Sequence, residues 1–173
     1  NDIGGIVGVL KSGSIDTCFN AGSITSTGYL STTDNVGGIV GDMGDYKSPT
    51  DDTIRNCYNT GSASSRSLYS AGIAGGSENP ISSCYFAGSG HKYGICFDDE
   101  GTDCYFDQEA SGCKTASNMH IGSPLTTMEM KGPNALTYMP GLTSAFVVSS
   151  IGYPQLSFFA NHPLAYCLLY TSP

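Results

Sequence analysis

Ile54-Arg55-Asn56-Cys57-Tyr58-Asn59-Thr60-Gly61-Ser62-Ala63 is the stretch on which the fold of this chain turns. The same order of residue types stands earlier as Ile15-Asp16-Thr17-Cys18-Phe19-Asn20-Ala21-Gly22-Ser23-Ile24 and later as Ile81-Ser82-Ser83-Cys84-Tyr85-Phe86-Ala87-Gly88-Ser89. Thr102-Asp103-Cys104-Tyr105-Phe106-Asp107 is a truncated further copy. Between these copies a glycine-flanked apolar pentamer recurs, as Gly4-Gly5-Ile6-Val7-Gly8, Gly37-Gly38-Ile39-Val40-Gly41 and Ala71-Gly72-Ile73-Ala74-Gly75, then in degraded form as Tyr93-Gly94-Ile95-Cys96-Phe97. Self-similarity of this kind is the mark of stacked repeat architectures.

The units have a direct physical reading. Apolar residues come in short bursts bounded by Gly, Asn and Ser, which predicts strands of about three to five residues joined by tight turns. Glycine at fixed places is expected to supply positive φ at the corners. No unit buries its apolar side chains alone, but stacked copies align Ile over Ile and Cys over Cys, with strands about 4.8 Å apart. The repeat positions are Gly4, Gly37, Gly72, Cys18, Cys57, Cys84, Cys104, Tyr58, Tyr85 and Tyr105. The predicted fold is all-β: a parallel β-solenoid, β-helix-like, of short strands over residues 1–106, its hand left open. An irregular C-terminal capping region over 107–160 is expected to close the open end, where core and strand edges would otherwise be exposed. Leu125 to Lys131 reads as a short helix ahead of Gly132-Pro133, and Gly28–Asn35 and Asp42–Asp52 read as polar loops projecting from the stack.

Composition agrees with that class. Of 173 residues 23 are Gly, charged residues make up only 13% and the net charge is −8. Lys11, Lys47, Arg55, Arg66, Lys92, Lys114 and Lys131 are scattered, so nucleic acid is not an expected partner. No apolar run reaches the roughly 18 residues of a membrane span. Asn1 opens in mid-pattern, so the chain is expected to be an internal piece of a longer protein with neighbouring domains. Residues 161–173 form a tail. Cys167-Leu168-Leu169-Tyr170-Thr171-Ser172-Pro173 matches the translated transposon end used in sequencing-library adapters, and 167–173 is set aside as read-through.

The repeats resemble the GLUG-motif repeats of bacterial cell-surface and secreted proteins. Gly37 to Gly41 followed by Asn56-Cys57-Tyr58-Asn59-Thr60-Gly61-Ser62 is similar to that family's paired elements, and the resemblance covers residues 2–159. Cys104-Tyr105-Phe106-Asp107-Gln108-Glu109-Ala110-Ser111-Gly112 and Gly152-Tyr153-Pro154-Gln155-Leu156 are similar to the family's exit from such arrays. Ala71 to Gly75 and Ile95-Cys96-Phe97 depart from the pattern. The resemblance implies an extracellular or cell-surface location and a non-catalytic scaffold or adhesin-type segment, with host or bacterial surface glycan or protein as partner. Similar repeats accompany immunoglobulin-A-specific metallopeptidases, so the alternative is an accessory segment that positions substrate for a secreted metallopeptidase or other secreted enzyme.

Few residues carry chemistry of their own. The repeat cysteines lack the C-x₂-C or His-paired spacing of zinc ligands and read as a ladder of small buried hydrophobes, with disulfides between neighbouring copies left open. Cys96 replaces the pentamer's valine and is expected in the core, whereas Cys113, beside Gly112 and Lys114, is expected at the surface. His91, His120 and His162 have no evident partners, and HExxH and GxSxG are absent, so no catalytic residue and no cofactor is assigned. Two acidic clusters, Asp42/Asp45/Asp51/Asp52 and Asp98/Asp99/Glu100/Asp103, are candidate Ca²⁺ ligands at unorthodox spacing, with solvated loop charge the blander account. Tyr58, Tyr85 and Tyr105, with Phe19, form one aromatic stripe. Tyr29, Tyr46 and Tyr69 are placed in the polar insertions as candidate ligand contacts, because loops on a rigid scaffold commonly bind.

Overall fold

The computed structural model describes residues 2–25, 34–43, 53–77, 79–97, 101–113, 122–142 and 144–161. A first layer holds β1 (Ile3–Gly4), β2 (Val7–Leu10), β3 (Ser14–Asp16), β4 (Phe19–Asn20) and β5 (Ile24–Thr25). A second repeats it as β6 (Asn35–Gly37), β7 (Val40–Met43), β8 (Thr53–Arg55), β9 (Tyr58–Asn59) and β10 (Ala63–Ser64), and a third as β11 (Tyr69–Ala71), β12 (Ala74–Ser77), β13 (Ile81–Ser82) and β14 (Tyr85–Phe86). Each strand hydrogen-bonds its counterpart in the adjacent layer, giving sheets β1-β6-β11, β2-β7-β12, β3-β8-β13 and β5-β10, all parallel. The fifth, β4-β9-β14, continues through β15 (Tyr105–Asp107) and β16 (Ser123–Leu125). The chain is therefore strand-dominated and its layers stack in parallel. Short helices follow β15: α1 (Gln108–Ser111), α2 (Thr127–Met130) and α3 (Ala135–Tyr138). The chain then forms the antiparallel pair β17 (Phe146–Val147) and β18 (Gln155–Leu156), and the last described element is α4 (Ser157–Asn161).

Register follows the sequence repeat. Ile15 lies beside Ile54 and Ile54 beside Ile81, while Phe19, Tyr58, Tyr85 and Tyr105 form another column. The Ile-x-x-Cys spacing has a local cause. In each copy the residue before the cysteine sits at positive φ: Thr17 at 57°, Asn56 at 52°, Ser83 at 50° and Asp103 at 55°. That corner resets the two-residue alternation, so Ile and Cys both enter the core although they are three apart. Thr17, Asn56 and Ser83 each donate a backbone N–H to the next layer, to the carbonyls of Arg55, Ser82 and Thr102. The repeat glycines are expected to supply positive φ; the structure gives it to Thr, Asn, Ser and Asp instead, the first three held in place by these cross-layer bonds.

The pentamer glycines serve a different need, close approach. Gly72 stacks on Gly38, one residue beyond the column of Gly4 and Gly37, whose place in the third layer Ala71 takes. A Cβ on Gly38 would stand 1.9 Å from Asn59 Nδ2 and 2.0 Å from the Gly72 carbonyl oxygen. On Gly72 it would meet the Phe86 ring at 2.2 Å, and on Gly94 the Phe106 ring at 2.5 Å. The inward residue after each aromatic, Asn20, Asn59, Phe86 or Phe106, thus packs against bare backbone. Buried Asn59 is satisfied there: its amide donates to Gly72 O (2.9 Å) and its oxygen accepts from Gly61 N (2.8 Å) and Asn20 Nδ2 (3.2 Å).

Two apolar clusters flank the β4-β9-β14-β15 sheet. The inner one stacks Ile15, Ile54 and Ile81 with Ile39, Ile73, Ile95, Cys57, Cys84, Cys104, Phe86 and Phe106. Each isoleucine buried this fully contributes roughly 1.5–3 kcal/mol. The outer cluster joins Tyr58, Tyr85 and Tyr105 to Met130, Met139, Leu142, Phe146 and Leu156. Much of the 107–160 region lies along the side of the stack over the aromatic stripe, reaching back to the first layer, where Phe159 meets Phe19 edge-on at 5.2 Å. The stripe demands it, since outward-facing rings in successive layers would otherwise present a continuous apolar face to water. Thr126 and Glu129 start α2 with a reciprocal capping box, within the stretch read as a helix.

Two substitutions test these local causes. Thr17→Asn places at a strained corner the residue type that Asn56 already supplies, and should raise stability by about 1 kcal/mol. Gly38→Ala should cost on the order of 3 kcal/mol, because backbone on two layers must move apart. Urea denaturation midpoints check both; an unchanged midpoint for Gly38→Ala would show that the close approach is not needed.

Candidate functional site

The best-furnished part of the surface lies where β6, β7, β11 and β12 expose side chains. Asp2 precedes β1 as Asn35 opens β6 and Tyr69 opens β11, so the three occupy one column. Asn35 donates its side-chain amide to Asp2 Oδ1 (3.1 Å) and to Asp42 Oδ1 (3.0 Å), and its backbone N–H also reaches Asp2 Oδ1 (3.3 Å). Asp42 is the register partner of Val9 and Gly76. A Cβ on Gly76 would stand 2.8 Å from Asp42 Oδ1 and 3.0 Å from Asn35 Oδ1, so the missing side chain leaves room for the amide–carboxylate cluster. Beside it Phe97 meets Tyr69 edge-on at 4.5 Å and Tyr93 at 5.0 Å, all three rings half-buried. Carboxylate, amide and aromatic groups thus share one patch.

This arrangement revises two placements. Tyr69 and Asp42 were assigned to polar loops; both belong to strands, because their backbone groups pair with the adjacent layers. Asp103 is the positive-φ corner before Cys104, against Gly141. Tyr29, Tyr46, Asp45, Asp51, Asp52, Asp98, Asp99 and Glu100 lie outside the described residues. Among the described residues no group of three or more His, Cys, Asp or Glu side chains is placed to hold a metal ion. No helix there is long and apolar enough to cross a membrane.

The aromatic stripe is committed to packing. Phe19 stacks on Tyr58 and Tyr58 on Tyr85, each at 5.0 Å and near parallel. The Tyr85 hydroxyl donates to Pro154 O (2.5 Å), and the Tyr105 oxygen accepts from Gly141 N (3.1 Å). Buried Asp107 caps α1 through the N–H groups of Glu109 and Ala110 and accepts the Tyr153 hydroxyl at 2.6 Å. Burial and the Asp107 bond push the Tyr153 hydroxyl pKa well above the ordinary tyrosine range. Lys131 lies 4.5 Å over the Tyr153 ring. These contacts tie the C-terminal flank to the sheet.

Cys18, Cys57, Cys84 and Cys104 occupy equivalent sites, all as free thiols, and each Sγ donates to the backbone oxygen two residues back. Burial pushes the thiols of Cys84 and Cys18 up, which suppresses the reactive thiolate. Cys96 is buried in the core. Cys113 is buried as well, against expectation: Gly112, at φ 68°, ends α1 and turns the chain so that the Cys113 thiol reaches His91 O (3.5 Å).

Asp2, Asn35, Tyr93 and Phe97 escaped sequence reading as site residues. The signal for the first two was present, since Asp2-Ile3-Gly4 and Asn35-Val36-Gly37 align across the repeat. Phe97 carries no such mark, because its partner Tyr69 comes from another layer. No family model, no curated protein and no solved structure matches the chain.

Native-state labelling with a maleimide, read by peptide mass, should modify Cys18 first among the described cysteines. Cys57, Cys84, Cys96, Cys104 and Cys113 should react only after denaturation; early labelling of Cys84 would contradict the buried thiol ladder.

Proposed function

We propose that the chain is a β-solenoid segment of GLUG-motif type, serving as a non-catalytic extracellular scaffold or adhesin-type part of a larger bacterial surface protein. The observation that carries this reading is the match between sequence repeat and spatial register: Ile15–Ile54–Ile81 and Phe19–Tyr58–Tyr85–Tyr105 are columns in both. A stack held by backbone ladders and a continuous core is stiff. Tyr69, Tyr93 and Phe97, with Asn35 and Asp42 beside them, supply the surface to which a glycan or a glycosylated protein would bind.

The test is retention of the purified protein on a panel of immobilised polysaccharides and glycoproteins, alongside Tyr69→Ala and Phe97→Ala variants of confirmed fold. The expected result is retention of the unmodified protein on at least one member and a loss of at least tenfold in both variants. Retention unaffected by either substitution would remove this patch as the contact, and a chain retained by no member would overturn the binding role.

A further inference from the structure

His91 is the anomaly of the interior. It sits in the turn Gly88-Ser89-Gly90-His91, which leads from the third layer into the fourth and in which Gly90 adopts φ 82°. The imidazole is 6% exposed. Its Nδ1 is 3.0 Å from Ser70 Oγ on β11, and its ring stands edge-on to Phe86 of β14 at 5.3 Å. Nε2 is buried with no hydrogen-bond partner among the described residues. An unmet buried polar atom is destabilising, and a charged one far more so.

The groups around this ring leave a positive charge uncompensated. β11 offers a serine hydroxyl and β14 an aromatic ring edge-on. The segment after α1 brings the Cys113 thiol, on the His91 carbonyl rather than the ring. The charged group in the same turn is Lys92, a second cation, exposed. Among the described residues no carboxylate hydrogen-bonds the imidazole.

The turn also holds the fourth layer in place. Lys92 N and Tyr93 N both donate to Ser70 O, at 2.9 and 3.0 Å, directly beside the imidazole–hydroxyl contact. Beyond it, Tyr93 O accepts from Gly72 N and Ile95 O from both Ile73 N and Ala74 N, each at 3.0 Å. Ahead of β15, whose ladder with β14 is continuous, the fourth layer meets the third through the isolated bridges Ala71 to Tyr93 and Ser82 to Thr102, where the second and third layers share ladders. Fewer ladder pairs are therefore lost when this segment opens.

We infer that the His91 turn is an acid-sensitive latch: protonation of His91 releases residues 91–97 from the third layer and uncovers Cys113, while the first three layers stay stacked. Burial holds the folded-state pKa down at about 4, against 6.5 for a free imidazole. A depressed pKa means that the opened turn binds the proton more readily than the closed one. Protonation therefore adds nothing to opening above pH 6.5, and the opening equilibrium grows about tenfold for each pH unit between 6.5 and about 4. Below that range both forms are protonated and the dependence levels off.

The experiment measures Cys113 labelling between pH 7.5 and 4.5 with 4,4′-dithiodipyridine, a disulfide reagent that still reacts with thiols in acid. Rates are normalised to the same site in urea-unfolded protein at each pH. The expected result is a normalised rate that climbs about tenfold per unit below pH 6.5 while Cys57 and Cys84 stay protected. In the double variant Ser70→Ala/His91→Phe, which replaces both polar partners by apolar groups, the slope should vanish. A flat profile in the unmodified protein, an undiminished slope in the double variant, or labelling of Cys57 and Cys84 in step with Cys113 would overturn the latch. Should the double variant fail to fold, the His91 ring-proton NMR titration in the intact protein decides. A midpoint near 6.5 overturns the proposal; a depressed midpoint, together with the acid-dependent Cys113 labelling of the unmodified protein, sustains it.

Discussion

Bare backbone at Gly5, Gly38, Gly72 and Gly94 is the constraint on which the remaining packing rests. These glycines face the inward residue of the Cys-aromatic strand, and the space a Cβ would fill is taken by Asn20, Asn59, Phe86 or Phe106. Two sheets of the same layer come together there, more closely than any side chain on the glycine would permit. The occupant changes along the stack without moving the sheets. In the second layer Asn59 bonds to neighbouring backbone atoms, and in the third and fourth a phenylalanine ring fills the same place with apolar contact. A polar and an apolar solution thus share one geometry, because the glycine column makes the shape and the occupant needs only to satisfy it.

The opposite face of the same sheet decides what the molecule shows to its surroundings. Alternation along each short strand sends cysteine inward and the next aromatic outward, so four rings stand in a line. Their mutual stacking is worth about 0.5–1.5 kcal/mol per pair, less than what covering them with apolar side chains supplies. The C-terminal helices and the β17–β18 pair lie along that line, which removes the most regular aromatic array from contact with any ligand. What remains on the surface is less regular: Tyr69, Tyr93 and Phe97, beside a carboxylate–amide cluster built across layers.

The same division separates what was legible in the sequence from what was not. Strand order, parallel pairing and register were readable, since Ile15, Ile54 and Ile81 announce their column by spacing alone. The thiol column was readable for the same reason. Three features were not. Cys113 looked exposed from its neighbours, yet a positive-φ glycine turns it onto His91. Tyr69 and Asp42 sat next to polar insertions and were read as loop, although each begins or continues a strand. The corners were credited to glycine, whereas Thr17, Asn56, Ser83 and Asp103 take the positive φ, the first three held by cross-layer hydrogen bonds.

The sequence by itself determined the columns: a residue type repeated at one place in every copy must stack on itself when the copies stack, because parallel strands pair like with like. Only the tertiary structure decided where the non-repeating third of the chain lies, which aromatic face it covers and which side chains meet across layers at Asn35, Phe97 and His91. Those outcomes depend on contacts between residues far apart in the chain and without periodic counterparts. No spacing encodes them; they emerge only when the exposed apolar stripe is covered and the buried polar groups find their partners or fail to.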